Sequence, residues 1–178
     1  MKKAYLLFSA AAVLLVGGKA FAQCESATSL VVDLQFDNTT ADSSQYDQPM
    51  FVLGNPTFDM DRHGNPAGAL NTSAGTVYLY NSETGEFKAP FPFTYSGWIK
   101  ANTLNARNPI FMNEDHGTAY SGAWVNVLSS GEVTANVGDG GSAGLTSVVT
   151  ATTVSQPIVT GEWFHIAVVF QSLTEIRI

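Results

Sequence analysis

From residue 23 onward, no stretch of the chain carries apolar residues at helical spacing. Short apolar runs recur instead between clusters of Gly, Asn, Asp, Ser and Pro. Runs this short cannot supply the apolar stripe a helix needs, so the chain has to fold as strands joined by tight turns. Strands are expected at residues 30–36, 76–80, 93–100, 109–112, 123–128, 132–137, 147–149 and 164–170, with Ser129-Ser130-Gly131 as a hairpin turn between two of them. Many short antiparallel strands imply two sheets packed around one core, in a sandwich or barrel. The chain has one cysteine, so no intramolecular disulfide can form. The core, or a bound metal, has to hold the sheets together.

Residues 1–22 have a different character. Lys2 and Lys3 precede the apolar run LLFSAAAVLLVGG, and Ala20-Phe21-Ala22 places small residues where a signal peptidase reads them. A secretory signal over 1–22 and a single domain over 23–178 are expected. The apolar run is short and ends in glycines, and no later segment approaches the roughly 20 apolar residues of a membrane span. Cys24 would become the second residue after cleavage, but Gln23 stands where a lipobox has a small residue, so an exported form without a lipid anchor is expected.

Loss of the leader would remove Lys2, Lys3 and Lys19 and leave Arg62, Lys88, Lys100, Arg107 and Arg177 against 15 acidic residues. Nucleic acid and anionic membranes are poor partners for so acidic a surface. Calcium and neutral glycans are compatible with it. No internal repeat or low-complexity linker divides the chain. Residues 175–178 read as a strand without a following turn or polar tail, so a piece of a longer protein, with its closing strands further on, is expected.

Four phrases, in order, resemble one family. Leu34-Gln35-Phe36-Asp37-Asn38 followed by Ala41-Asp42-Ser43-Ser44 resembles the opening strand and D-S-S loop of laminin G-like domains of the concanavalin A-like lectin/glucanase superfamily. The stretch from Asn55 through DMDRHGN to Ala69-Leu70 resembles the D-R-x-G-x-x-x-x-A-L phrase of bacterial members. FTYSGWIK, beginning at Phe93, is similar to their F-T-I-S-A-W-I-K strand, and GEWFHIAVVF, beginning at Gly161, to G-E-W-H-H-V-A-V-T-Y. The Y-V-N-G hairpin that follows the last phrase in the family has no counterpart in this chain. The resemblance implies an all-β, two-sheet antiparallel jelly-roll sandwich. It also implies that Trp98 and Trp163 are core aromatics and that His165 is a hydrogen-bonded, partly buried strand residue.

Candidate sites follow from residue chemistry. Asp37, Asn38, Asp42, Ser43, Ser44 and Asp47 crowd one loop with hard oxygen ligands suited to Ca²⁺. Family members often hold a structural calcium near this loop, so the resemblance implies Asp42 as first ligand and Asp37 as second. The alternative is that these side chains bond the backbone as turn formers. Asp59, Asp61, Arg62 and Asn65 form a second polar cluster, in which Asp61 and Arg62 are expected to fix the loop through a local ion pair, with a ligand contact as the alternative.

The superfamily's glycosidases use an E-x-D-x-x-E pattern on one strand. It is absent here, and Glu114-Asp115 would point to opposite faces of a strand. A non-catalytic domain is expected. For ligand binding the candidates are Tyr120 and Trp124, beside the polar NEDHG loop with Asp115, and the side-chain-poor stretch 138–142 read as a loop. Tyr78 and Tyr80 share one face of a strand. The expected role is recognition of a glycan or an extracellular protein as part of a larger exported or cell-surface protein. A structural spacer of an adhesin and an accessory domain beside a hydrolase are the alternatives.

Overall fold

A computed structural model of the chain describes residues 30–73, 77–81, 90–105, 107–113, 119–142, 148–153 and 155–178, with the backbone alone for 119–121 and 142. The expected leader over 1–22, Cys24 and Asp115 lie outside the described residues. Among the described residues there are eleven strands: β1 (Phe51–Leu53), β2 (Thr57–Asp59), β3 (Ala69–Asn71), β4 (Tyr78–Tyr80), β5 (Phe93–Lys100), β6 (Arg107–Met112), β7 (Ala119–Leu128), β8 (Val133–Ser142), β9 (Val148–Thr152), β10 (Trp163–Ser172) and β11 (Glu175–Arg177). No helix occurs among the described residues.

Two sheets make the body of the fold. One has the order β6-β7-β8-β9, the other β11-β10-β5, and all their pairs are antiparallel. Two short ribbons, β1-β4 and β2-β3, complete the set. The core follows from the period of two along the strands. Ala123, Val125 and Val127 of β7 and Val133, Ala135 and Val137 of β8 turn inward and are buried, as are Ile166, Val168 and Phe170 of β10. Phe93, Tyr95, Phe111 and Phe164 pack against this layer. Phe170 lies 4.9 Å from Phe93 and 5.7 Å, edge on, from Tyr95, which stacks on Phe111 of the facing sheet at 5.2 Å. These rings join the two sheets, and burial pushes the Tyr95 phenol well above its usual range.

The β7–β8 hairpin closes at Ser129-Ser130-Gly131. The amide of Leu128 donates to the Glu132 carbonyl and that of Gly131 to the Leu128 carbonyl, both at 2.9 Å. Gly131 has φ 84°, and a Cβ there would collide with the Ile158 carbonyl oxygen. Only glycine suits that position.

Three expectations are corrected. Residues 30–36 do not form a strand. The amide of Asp33 donates to Asp42 Oδ1, the carbonyl of Asp33 accepts from the amide of Ser43, and Phe36 has φ 58°. A side chain and a loop thus take the groups that a ladder would use. Residues 138–142 are no loop but the continuation of β8, paired Gly138 with Gly122, Asp139 with Ser121 and Ser142 with Ala119. Gly140, at φ 82°, absorbs the extra residue of a bulge there. Trp98 is not in the core: it is 46% exposed, on the outer face of β5.

Candidate functional site

Strand alternation that buries the valines of β7 and β8 forces Trp124, Asn126, Thr134 and Asn136 to the opposite, outer face of the four-stranded sheet. Register aligns them in two rows across the strands. Met112, Trp124, Asn136 and Thr150 form one row, and Pro109, Asn126, Thr134 and Thr152 the other. Neither row contains a charged residue, and the next row on the same side of the sheet carries exposed Arg107, opposite Leu128. Four strands at their usual spacing make the rows roughly 14 Å long.

The middle of this face is tightly packed. Asn126, Thr134 and Asn136 are only 8%, 9% and 9% exposed, and Trp124 is half-buried beside them. The rims are open, with Met112, Pro109, Thr150 and Thr152 exposed. The Thr150 hydroxyl donates to Asn136 Oδ1 at 2.7 Å. That bond fixes the orientation of the Asn136 amide and directs its NH₂ donors away from Thr150. These two rows combine an indole with two amides, of which Asn136 is held by Thr150, and three hydroxyls, and carry no charge. An indole offers an apolar surface to sugar C–H groups, and amides and hydroxyls can exchange hydrogen bonds with sugar hydroxyls. Hollows of about 370 Å³ and 300 Å³ open elsewhere, beside Thr153 and Ser155 at the sheet rim, with Thr152 the one residue shared with the outer rows.

Of the residues singled out from the sequence, Trp124 lies on this face. Tyr120 lies on the same strand, but its side chain is outside the described part, as is all of Asp115. Asn126, Thr134, Asn136 and Thr150 were missed. The signal for Asn126, Thr134 and Asn136 was present in AWVNVL and VTANV, where every residue between two small apolar ones is Trp, Asn or Thr.

Asp42 is 6% exposed. Its Oδ1 accepts from the amides of Asp33 (2.7 Å) and Ser44 (2.9 Å), and its Oδ2 from the Ser44 hydroxyl (2.6 Å) and the Gln48 amide (2.8 Å). Burial alone would raise its pKa, but the donors of Asp33, Ser44 and Gln48 outweigh that and hold the carboxyl below the usual range. Asp37 is exposed on the same loop. Among the described residues, no three His, Cys, Asp or Glu side chains come together as a metal cluster.

In the second polar cluster Asp61 fixes the loop as expected, but through hydrogen bonds rather than an ion pair with Arg62. Asp61 Oδ1 accepts from the amides of His63 and Asn65 at 2.8 Å, and its Oδ2 from Asn65 Nδ2 at 2.9 Å. Arg62 makes no ion pair among the described residues. Its guanidinium instead lies 4.7 Å over the Trp98 ring. Across β5 and β10, Trp98 faces His165 with ring centroids 5.2 Å apart, and Lys100 faces Trp163 with Nζ 5.2 Å from the ring centre. His165 contacts Ser96 Oγ through Nε2 at 3.0 Å and is exposed rather than partly buried. Parity explains the correction: Phe164, Ile166 and Val168 take the inward positions, so Trp163 and His165 cannot.

Tyr78 and Tyr80 share an exposed face with Phe51 and Leu53 of β1, Phe51 stacking on Tyr80 at 5.5 Å.

Antiparallel sheets around an aliphatic and aromatic core, with a polar outer face, define a β-sandwich of the lectin kind in architecture. The laminin G family profile of the concanavalin A-like lectin/glucanases superfamily matches residues 71–178, more than half of the chain. The chain belongs to this family. No curated protein and no solved structure matches it. Domains of this type often bind carbohydrate or protein and are typically non-catalytic, although the superfamily includes glycosidases.

Proposed function

We propose that the protein is an exported, non-catalytic recognition domain that binds a neutral glycan across the outer face of β6–β9. The observation that carries this reading is the uncharged double row. Asn126, Thr134 and Asn136 pack side by side around a half-buried tryptophan on a face that the core does not need. An anionic ligand would find no cation in these rows. A protein partner of ordinary size would need a broader apolar centre than one indole and one methionine provide. The length of the rows, roughly 14 Å, suits several linked sugar units rather than one ring. The leader-like residues 1–22 support export.

A glycan array probed with the protein and with Trp124→Ala tests the proposal. Retention of at least one neutral glycan by the parent protein, lost in the variant, is expected. Equal retention by both would refute the assignment of the face.

Calcium at Asp42 and Asp37 is proposed as a separate structural feature of the loop, with four hydrogen-bond donors as its competitor for the Asp42 oxygens. Thermal unfolding with calcium and then with chelator decides between them. A bound ion raises the midpoint, and an unchanged midpoint leaves Asp42 to its hydrogen bonds.

A further inference from the structure

Among the described residues, the buried core and the side chains packed on it all come from position 93 onward. Residues 30–71 are tied to one another instead. Their ties include the four bonds on Asp42, the β2–β3 pairing, and the Asn38 amide, which donates to the Ala67 carbonyl at 2.8 Å. Arg62, in the loop between β2 and β3, reaches from this part of the chain to the β5–β10 sheet. Its guanidinium lies 4.7 Å over the Trp98 ring and has no carboxylate partner among the described residues. A contact made by one stacked cation on an exposed ring is weak enough to be undone by one new charge.

Trp98 has a titratable neighbour that can supply that charge. His165 stands directly opposite on β10, its ring tilted 52° to the indole with centroids 5.2 Å apart. Ser96 Oγ lies 3.0 Å from His165 Nε2. A hydroxyl donates to a bare ring nitrogen and accepts from a protonated one, so Ser96 can hold this imidazole in place in either state. A positive charge on it then arises at a fixed position beside Trp98. An imidazole takes up its charge between about pH 5 and 8.

The charged groups around this pair reinforce the effect. Lys100, over Trp163, adds a permanent cation on the same face. Asp61, next to Arg62, spends both oxygens on His63 and Asn65. Glu162 precedes β10 at the Trp163 end, and β11 brings Glu175 and Arg177 to the opposite end, where they pair with each other. Among the described residues no carboxylate contacts Arg62 or His165 to cancel the repulsion between them.

We infer that Arg62, Trp98 and His165 form a pH-sensitive latch. With His165 neutral, Arg62 stacks on Trp98 and holds the β2–β3 loop against the sheet. With His165 charged, the guanidinium is displaced, the loop is released and the outer face of Trp98 is uncovered. The latch is independent of the β6–β9 face and of any ligand there.

The test reads Trp98 alone, in the full chain carrying Trp124→Phe and Trp163→Phe. Acrylamide, an uncharged quencher, is titrated from about pH 8 down to about pH 5, and the bimolecular quenching constant is taken from intensities and lifetimes together. A rise of about twofold or more on acidification is expected, in line with the loss of one cation–π contact. Addition of His165→Gln should keep the constant low throughout, and Arg62→Gln should keep it high throughout. His165→Lys, with a permanent cation, should be open at both ends of the range. His63→Gln, which removes the other imidazole near Arg62, should behave like the parent. Circular dichroism over the same range serves as the control for folding. A constant that does not change with pH in the parent, the same rise in His165→Gln, or loss of the rise in His63→Gln would each overturn the inference. A low constant in Arg62→Gln at neutral pH would also overturn it, by showing that Arg62 does not cover Trp98.

Discussion

At the scale of single residues, Asp42 and Gly131 show what the loops require. Asp42 collects four donors on two oxygens, so Asp42→Asn turns one acceptor into an NH₂ group facing the Ser44 hydroxyl and the Gln48 amide. A loss of about 2–3 kcal/mol at neutral pH is expected. Because the folded carboxyl titrates below its ordinary value near 3.8, its contribution is fully present above that value. It fades as pH falls through the lowered folded value. The stability gap between parent and Asp42→Asn should therefore close in acid, as denaturant unfolding at a series of pH values can measure. A gap independent of pH would show that the charge of Asp42 plays no part. Gly131→Ala meets both a left-handed backbone and the Ile158 carbonyl. It should cost about 2 kcal/mol or more, since strain and a displaced carbonyl add.

At the scale of elements, β7 and β8 present a core face and the face proposed for glycan binding on the same two strands. Neighbouring positions should therefore respond in opposite ways. Val125→Ala removes methyl groups from a site with no exposed area and should lose about 2 kcal/mol of stability while leaving any ligand contact intact. Asn136→Ala removes an amide on the outer face and should weaken glycan binding several-fold with a smaller stability change. Paired unfolding and binding measurements on the two variants check this. The same period explains what the sequence made legible. In 93–100 the alternation is regular and the strand is found end to end, and in β7 and β8 the valines mark the core at once. β1, β2 and β3 were missed because three residues are too few to establish a period. The reading of 30–36 failed because a carboxylate nine residues away competes for its backbone, and composition does not reveal such a contact. Trp98 and His165 were misplaced because bulk and aromaticity were weighed above parity.

At the scale of the whole molecule, the two sheets are joined chiefly through rings. Phe170 has no exposed area and touches both Phe93 and Tyr95, and Tyr95 in turn meets Phe111 across the core. Phe170→Ala should cost about 3–5 kcal/mol, and calorimetry should show one transition shifting as a unit. A second transition appearing in the variant would mean that the sheets unfold separately. The outward faces then differ in chemistry, with two uncharged rows on β6–β9, bordered by Arg107, and the aromatic face of β5–β10, where Arg62 and Lys100 meet Trp98 and Trp163. The chain has three tryptophans, Trp98, Trp124 and Trp163. A protein carrying Trp98→Phe and Trp163→Phe therefore reports on the β6–β9 face alone. The most direct measurement is its fluorescence during titration with a panel of neutral oligosaccharides. A saturable change in Trp124 emission with at least one of them is predicted. No change with any neutral oligosaccharide that the parent protein binds would place glycan recognition away from the β6–β9 face.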